Sequence, residues 1–416
     1  MKLRTLAWVA LGLVLASAVP LAITHRARRE ASKDEVALQE QLRLARAEGL
    51  PTNAAEYAAM IPTAAPSENA ASLYRRLSWH ETFSDMVQSK GAHRSVGFKL
   101  SPKALMRKYS NDLETIDKAV SLPRCRFDRD WTRGPAELMP EYHEMDSAAK
   151  LIAIRGTFAA VRGDVRAALA DAQRIFRIAR HAREEPNYIA HLVSESIYTL
   201  GLKRLAIWGL WRRDIPAYRE AVKKALDAFP RPDLRAEHRE DLYHALWLAD
   251  HSLTTEGRRD IGIKEEDIPV AAKAMAHLFD QTKSRIKIVQ WQRAYWAALD
   301  RPAKERGPLL AQARQQVMIA LLAFPPAAEA YSWSDYDDWT AKREPAWEAN
   351  RQMCVALLRS LDGPVTPSSI KTDDLLSPFN GKRLEYRFDG KVITITVSGG
   401  GYPFRVQVRP LGIVLQ

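Results

Sequence analysis

Residues 5–24 carry no charged side chain and are mostly apolar, with Lys2 and Arg4 before them and His25, Arg26, Arg28 and Arg29 after. At about 1.5 Å per residue, a helix of this length spans about 30 Å, the thickness of a bilayer's hydrocarbon core. The run predicts an N-terminal transmembrane helix, with membrane lipid as the partner of residues 5–24. A cleaved signal is the rival reading, because Ala16, Ser17 and Ala18 form a small-x-small site with cleavage after Ala18. The apolar run continues past that site through Val19, Leu21 and Ile23 into a basic stop, as a retained signal-anchor does. Basic residues nearly balance across the run. The four-residue tail before it gives a cytoplasmic N-terminus and a single-pass protein whose body is extracytoplasmic. Arg26, Arg28 and Arg29 fall at the depth of anionic lipid headgroups.

Over the whole chain, 46% hydrophobic and 27% charged residues describe an ordinary folded protein. Two cysteines, Cys125 and Cys354, exclude a disulfide-dense scaffold and a zinc site of four thiolates. They form either one bridge or two buried thiols. The net charge of +12 attracts polyanions, but basic and acidic residues interleave, as in Arg219, Glu220, Lys223, Lys224 and Asp227, which is the pattern of solvated helix faces. Export removes nucleic acid from the expected partners.

The chain divides into a membrane anchor (1–31), a stalk helix with an N-terminal helical region (32–140), a helical-hairpin domain (141–363) and a small antiparallel β-subdomain (364–416). The fold class is mainly α, with stacked antiparallel helical hairpins and a small C-terminal antiparallel β-sheet. Ser32 and Glu35 form a capping box ahead of Val36, Leu38, Leu42 and Ala45, which recur at helical spacing until Gly49 and Pro51. Asn53 with Glu56 repeats the cap signal, and Ser67 opens a helix through Leu77. Leu151, Ile152, Ile154, Phe158 and Val161 make a helical stripe ending at Gly163, and Asp164 caps the next helix through Ala168, Ala172, Ile175 and Ile178. A second pair runs from Asn187 to Trp211 and from Tyr218 to Phe229. Further helices are expected over Asp233–Thr254, Asp267–Leu299, Pro308–Phe324 and Pro345–Leu361. Asp389-Gly390 signals a two-residue hairpin that pairs Tyr386 with Ile393 and Leu384 with Ile395, with Phe404, Val406 and Val408 in a third strand.

The first helix pair resembles a tetratricopeptide repeat, with Gly156, Gly163 and Ala168 at its small-residue positions. It departs where Ile152 and Arg155 stand in place of large aromatic and leucine residues, and no 34-residue period recurs. Leu50-Pro-Thr-Asn53 with Pro66-Ser-Glu-Asn-Ala70, and Ser377-Pro-Phe-Asn-Gly-Lys382 leading into Leu384-Glu-Tyr386, resemble segments of uncharacterised membrane-anchored bacterial proteins. The C-terminal segment of that family is similar to the tail of pseudopilins. The resemblance implies export and an anchor, and no known activity. The prepilin cleavage site and the glutamate that open a true pseudopilin are absent from this sequence.

Candidate chemistry is sparse. His238, Asp241 and His244 lie three apart on one predicted helix and could share a broad face as metal ligands, although their spacing is not that of a His-Glu-x-x-His motif. A solvated, charged helix face is the plainer reading. Trp291, Trp296, Trp333 and Trp339 gather with Tyr336; they are either core packing or a ligand groove that stacks on sugar rings or grips a peptide. No nucleophile elbow or phosphate loop is present, the catalytic residues are unassigned and no cofactor is expected. The expected function is a membrane-anchored extracytoplasmic helical scaffold that binds a protein partner. The alternative is an exported hydrolase or wall-binding enzyme using carboxylate and histidine groups assembled in the fold.

Overall fold

The computed structural model describes residues 30–77, 102–137, 139–212, 214–251, 281–302, 305–313, 333–359, 375–378, 382–388, 392–396 and 404–407. Among them the chain is mainly helical, and no helix is long and apolar enough to cross a membrane. The candidate span 5–24 lies outside the described residues.

Three helices form the centre: α6 (Glu141–Arg162), α7 (Val165–Ala182) and α8 (Tyr188–Trp211). Their boundaries follow from local chemistry. Gly163 ends α6 with φ 83°, a left-handed conformation that glycine adopts without a Cβ penalty, and Asp164 then caps α7 by accepting from the Ala167 N–H at 3.0 Å. Asn187 caps α8 in the same way from Ala190 at 2.7 Å, and Pro216 sits in the first turn of α9 (Pro216–Asp227). The helices α6 and α8 bury side chains all round, among them Met145, Ile152, Ile197, Leu202 and Trp208. By contrast, α7 buries Ala168, Ala172, Ile175 and Ala179 and turns an arginine-bearing face outward.

Two glycines, Gly156 of the tetratricopeptide-like segment and Gly201 of α8, carry this packing. A Cβ at Gly156 would lie 2.6 Å from the Trp208 ring, and one at Gly201 would lie 2.7 Å from Phe176. Glycine at both positions lets α6 and α7 close on α8.

Around this centre the preceding elements are α1 (30–47), α2 (Ala54–Met60), α3 (Ala71–Tyr74), α4 (Pro102–Lys108) and α5 (Ser110–Ser121). The following ones are α10 (Leu234–Glu237), α11 (Asp241–His251), α12 (Gln281–Leu299), α13 (305–313) and α14 (Trp333–Arg359). The main core joins α3 and α5–α9 to α14 and to Leu375, Leu384 and Ile395 near the C-terminus. A second core joins α1 to α10–α13. Leu38, Leu42 and Ala45 of the expected stalk helix are packed there against Leu242, Val289 and Leu310.

Several expectations are corrected. The single helix expected over Asp233–Thr254 is broken, because His238 ends α10 and α11 starts at Asp241. In place of a helix from Ser67 to Leu77 there are a short turn at Pro66–Glu68 and α3. Pro345 lies inside α14 and does not open it. Cys125 and Cys354 are free, buried thiols, which removes the disulfide alternative.

The strands β1 (Glu385–Phe388), β2 (Val392–Thr396) and β3 (Phe404–Gln407) form an antiparallel sheet in that order. Its register differs by two residues from the expected one: Tyr386 pairs with Ile395 and Phe388 with Ile393. A slip of two keeps every side chain on its face, so the alternation alone could not distinguish the two registers. Asp389 and Gly390 lie outside the described residues.

Replacing Gly156 with alanine forces a methyl group against the immobile Trp208 ring. Gly156→Ala is expected to cost about 1–3 kcal/mol in urea unfolding. An unchanged midpoint would contradict the close approach of α6 and α8.

Candidate ligand-binding cleft

The interior contains ion clusters whose members come from distant parts of the chain. Arg129 is buried against Glu185 at 2.8 Å and Glu141 at 3.2 Å, with Tyr142 donating its hydroxyl to Glu185 at 2.6 Å and Arg75 reaching Glu141 at 2.8 Å. Arg155 bridges Asp117 at 2.9 Å and Asp171 at 2.7 Å. Arg343 of α14 clamps Glu195 and reaches Glu237 at 3.2 Å. Burial raises Glu195 above the ordinary carboxylate range in spite of Arg343. Burial would raise Glu237 too, but His191 and Arg343 hold it below. Each carboxylate is occupied by an arginine, so these clusters tie segments together and present no free acid or base.

The histidine cluster follows the same pattern. His238 Nδ1 lies 3.0 Å from Asp241 Oδ2, whereas His244 Nε2 is paired with the Tyr243 hydroxyl at 2.7 Å. Burial pushes His244 down to about 3, so its ring is neutral at pH 7. Among the described residues no group of His, Cys, Asp and Glu could hold a metal ion. His238 and Asp241 thus meet across the break between α10 and α11, whereas His244 is held by Tyr243.

Trp291 and Trp296 are 3% and 4% exposed and pack in the second core, and Trp296 also lines a separate cleft of about 720 Å³ with Glu48, Arg235 and Arg293. The Trp296 indole donates to the Glu48 carbonyl at 3.1 Å, and Arg235 lies over its ring. The side chains of Trp333, Tyr336 and Trp339 lie outside the described residues.

A cleft of about 830 Å³ opens between α7 and α9, with α8 behind it. Its floor is apolar: Leu169, Ala172 and Phe176 come from α7, Tyr198 and Leu205 from α8, and Ala225 from α9. Tyr198 spends its hydroxyl on the Ala225 carbonyl at 2.9 Å and leans on Phe176 with ring centroids 4.5 Å apart. Gly201 admits that Phe176 ring, so the helix contact that builds the core also shapes the floor.

The rim is cationic, with Arg174, Arg177, Arg180 and Arg183 along α7 and Lys224 opposite on α9. These charges are not equivalent. Arg174 is committed to Asp117 at 2.8 Å and to Asp171 at 3.2 Å. Arg183 donates to the Arg231 carbonyl at 2.7 Å and lies in the field of Glu237 and Asp233. Among the described residues no carboxylate pairs with Arg177, Arg180 or Lys224. Partial burial, and then the neighbouring Arg177, lower the pKa of Arg180, a sign that these two guanidinium groups repel each other across the rim. Arg180 suits the last turn of α7, where a cation meets the helix dipole. Arg177, one turn earlier, has no such partner.

No family model, curated protein or solved structure matches the chain. The site therefore rests on its own geometry.

Glu240, at the break between α10 and α11, supplies a test of this interior. Burial and the adjacent Asp241 charge push its carboxyl well above the usual value of 4.5, and the Tyr57 hydroxyl and Tyr188 N–H offset this only in part. A carboxyl raised on folding contributes its full stability below the unfolded-state value and loses it as pH rises toward the folded-state value. Glu240→Gln, which cannot ionise, is expected to gain on the wild type in urea unfolding as pH rises from 4.5. The gain approaches about 1.4 kcal/mol per pH unit until the carboxyl has ionised. A difference independent of pH would contradict the assignment.

Proposed function

We propose that this chain is a membrane-anchored, extracytoplasmic helical scaffold that binds its partner, and that the partner presents negative charge to the cleft between α7 and α9. The carrying observation is that Arg177, Arg180 and Lys224 face one apolar floor with no carboxylate paired to them among the described residues. Cations on a solvated helix face commonly have acidic neighbours three or four residues away. On α7 the nearby acid, Asp171, is consumed by Arg155 and Arg174. The apolar run 5–24 with its basic stop supports the tether.

Binding is favoured over the exported-hydrolase reading because the acids a hydrolase would need are held shut. Glu185, Glu195 and Glu237 are buried under arginines, and His244 is bonded to Tyr243. Hydrolysis by paired carboxylates requires two groups facing a substrate with their proton affinities set apart.

Charge reversal tests the reading. Full-length wild-type chain and the Arg177→Glu/Arg180→Glu variant are each solubilised from membranes in mild detergent at low salt and purified. The wild type is expected to retain an acidic species that is displaced by salt, and the variant is expected to lose it with no change in melting temperature. Identical recovery by the two chains would overturn the proposal.

A further inference from the structure

The size and chemistry of the cleft narrow the class of ligand. The lining on α7 runs from Leu169 to Arg183, about 21 Å of helix at 1.5 Å per residue. An extended peptide would fit by width, but its backbone N–H and C=O groups would face mainly Leu169, Ala172, Phe176, Leu205 and Ala225, with only Gln173 and Ser194 adding polar side chains to the lining besides the cations and Tyr198. Tyr198 has already spent its hydroxyl. Polar backbone buried without partners costs about 1–3 kcal/mol per group, so the floor selects against peptide. The volume lies within the ~300–1,000 Å³ typical of small-molecule sites.

The cleft also has two unlike ends. Leu169, Leu205 and Ala221 line the end near the start of α7, whereas Arg180, Arg183 and Ser194 line the end near its close, with Arg177 between. A ligand matching this gradient has an unbranched apolar body and one anionic head. Resting on the reading that the cleft takes a negatively charged partner, we propose that the occupant is a long-chain fatty acid, its carboxylate held by Arg177 and Arg180 and its tail laid over Phe176 toward Leu169 and Leu205. A carboxylate accepts paired N–H donors from a guanidinium, and two arginines three residues apart, with no carboxylate paired to them among the described residues, present several. An acyl chain carries no polar group for the floor to satisfy. The helix contact at Gly201 sets the depth of the cleft by fixing the Phe176 ring.

Photolabelling tests the assignment. Full-length chain in nanodiscs of zwitterionic lipid is irradiated with palmitate carrying a mid-chain diazirine, and the labelled peptides are mapped. Label is expected in the segments holding Leu169–Phe176 and Leu205, competed by palmitate and not by cetyl alcohol. It should fall by about tenfold or more, the loss of roughly 1.4 kcal/mol of binding, in Arg177→Gln/Arg180→Gln. Ala221→Trp, which narrows the apolar end and leaves the arginines in place, should also lose it, with melting temperatures confirming that both variants fold. Label scattered over other segments, or equal competition by the neutral alcohol, would overturn the fatty-acid assignment. If palmitate fails to label while a polyglutamate peptide binds in an Arg177- and Arg180-dependent manner, the assignment falls and the anionic-partner reading stands. If neither depends on these arginines, both fall.

Discussion

Two buried arginines, Arg129 and Arg343, and the half-buried Arg155 hold the described helices in place. Arg129 joins the segment before α6 to Glu141 and to Glu185 ahead of α8, Arg155 joins α6 to α5 and α7, and Arg343 joins α14 to α8 and α10. Burying a guanidinium and a carboxylate costs several kcal/mol per ion, and their mutual attraction offsets this only when the geometry is good and the remaining donors are used. The clamps are therefore poor sources of net stability compared with an apolar core. What they supply is choice: an arrangement that parts the arginine from its acids leaves a bare charge in the interior. The seats of Trp208 on Gly156 and Phe176 on Gly201 fix how closely the helices approach, and Arg155 between Asp117 and Asp171 fixes which charged groups meet.

The clamps also shape the electrostatics of the surface. With a net charge of +12 the chain has basic residues to spare, and where they lie unpaired depends on which acids the interior consumes. Asp117 and Asp171 turn toward Arg155 and Arg174, and Glu195, next to Ser194 in the cleft lining, turns toward Arg343. Arg177 and Arg180 are left facing an apolar floor. The same packing that brings α7 onto α8 through Gly201 sets Phe176 and Tyr198 in that floor. Fold and site are two consequences of one set of contacts, since the acids that could have neutralised the rim are fixed inside.

Much of the helical centre was legible in the sequence because its signals are local. Gly163 with Asp164, Asn187 at the start of α8 and Pro216 at the start of α9 each act within one turn of where they stand. The side of each strand was also legible, since it depends only on a period of two, whereas the register depends on connection length and was two residues off. The charge clamps were hidden. Arg343 and Glu195 are 148 residues apart, and nothing in either neighbourhood announces the other. The rim of the cleft was hidden for a related reason: Arg174, Arg177 and Arg180 read as part of a solvated face until the partner acids are known to be elsewhere. His238, Asp241 and His244 read as one helical face because sequence periodicity does not register the break at residues 238–240, where His238 and Glu240 are buried.

The most direct measurement is urea unfolding of Arg343→Met beside the triple variant Arg343→Met/Glu195→Gln/Glu237→Gln. If Arg343 is the partner that makes two buried carboxylates tolerable, the single substitution loses about 3–5 kcal/mol, and neutralising both acids in the triple variant restores most of it. A single variant as stable as the wild type, or a triple variant no better than the single, would contradict the claim that buried arginine clamps hold this fold.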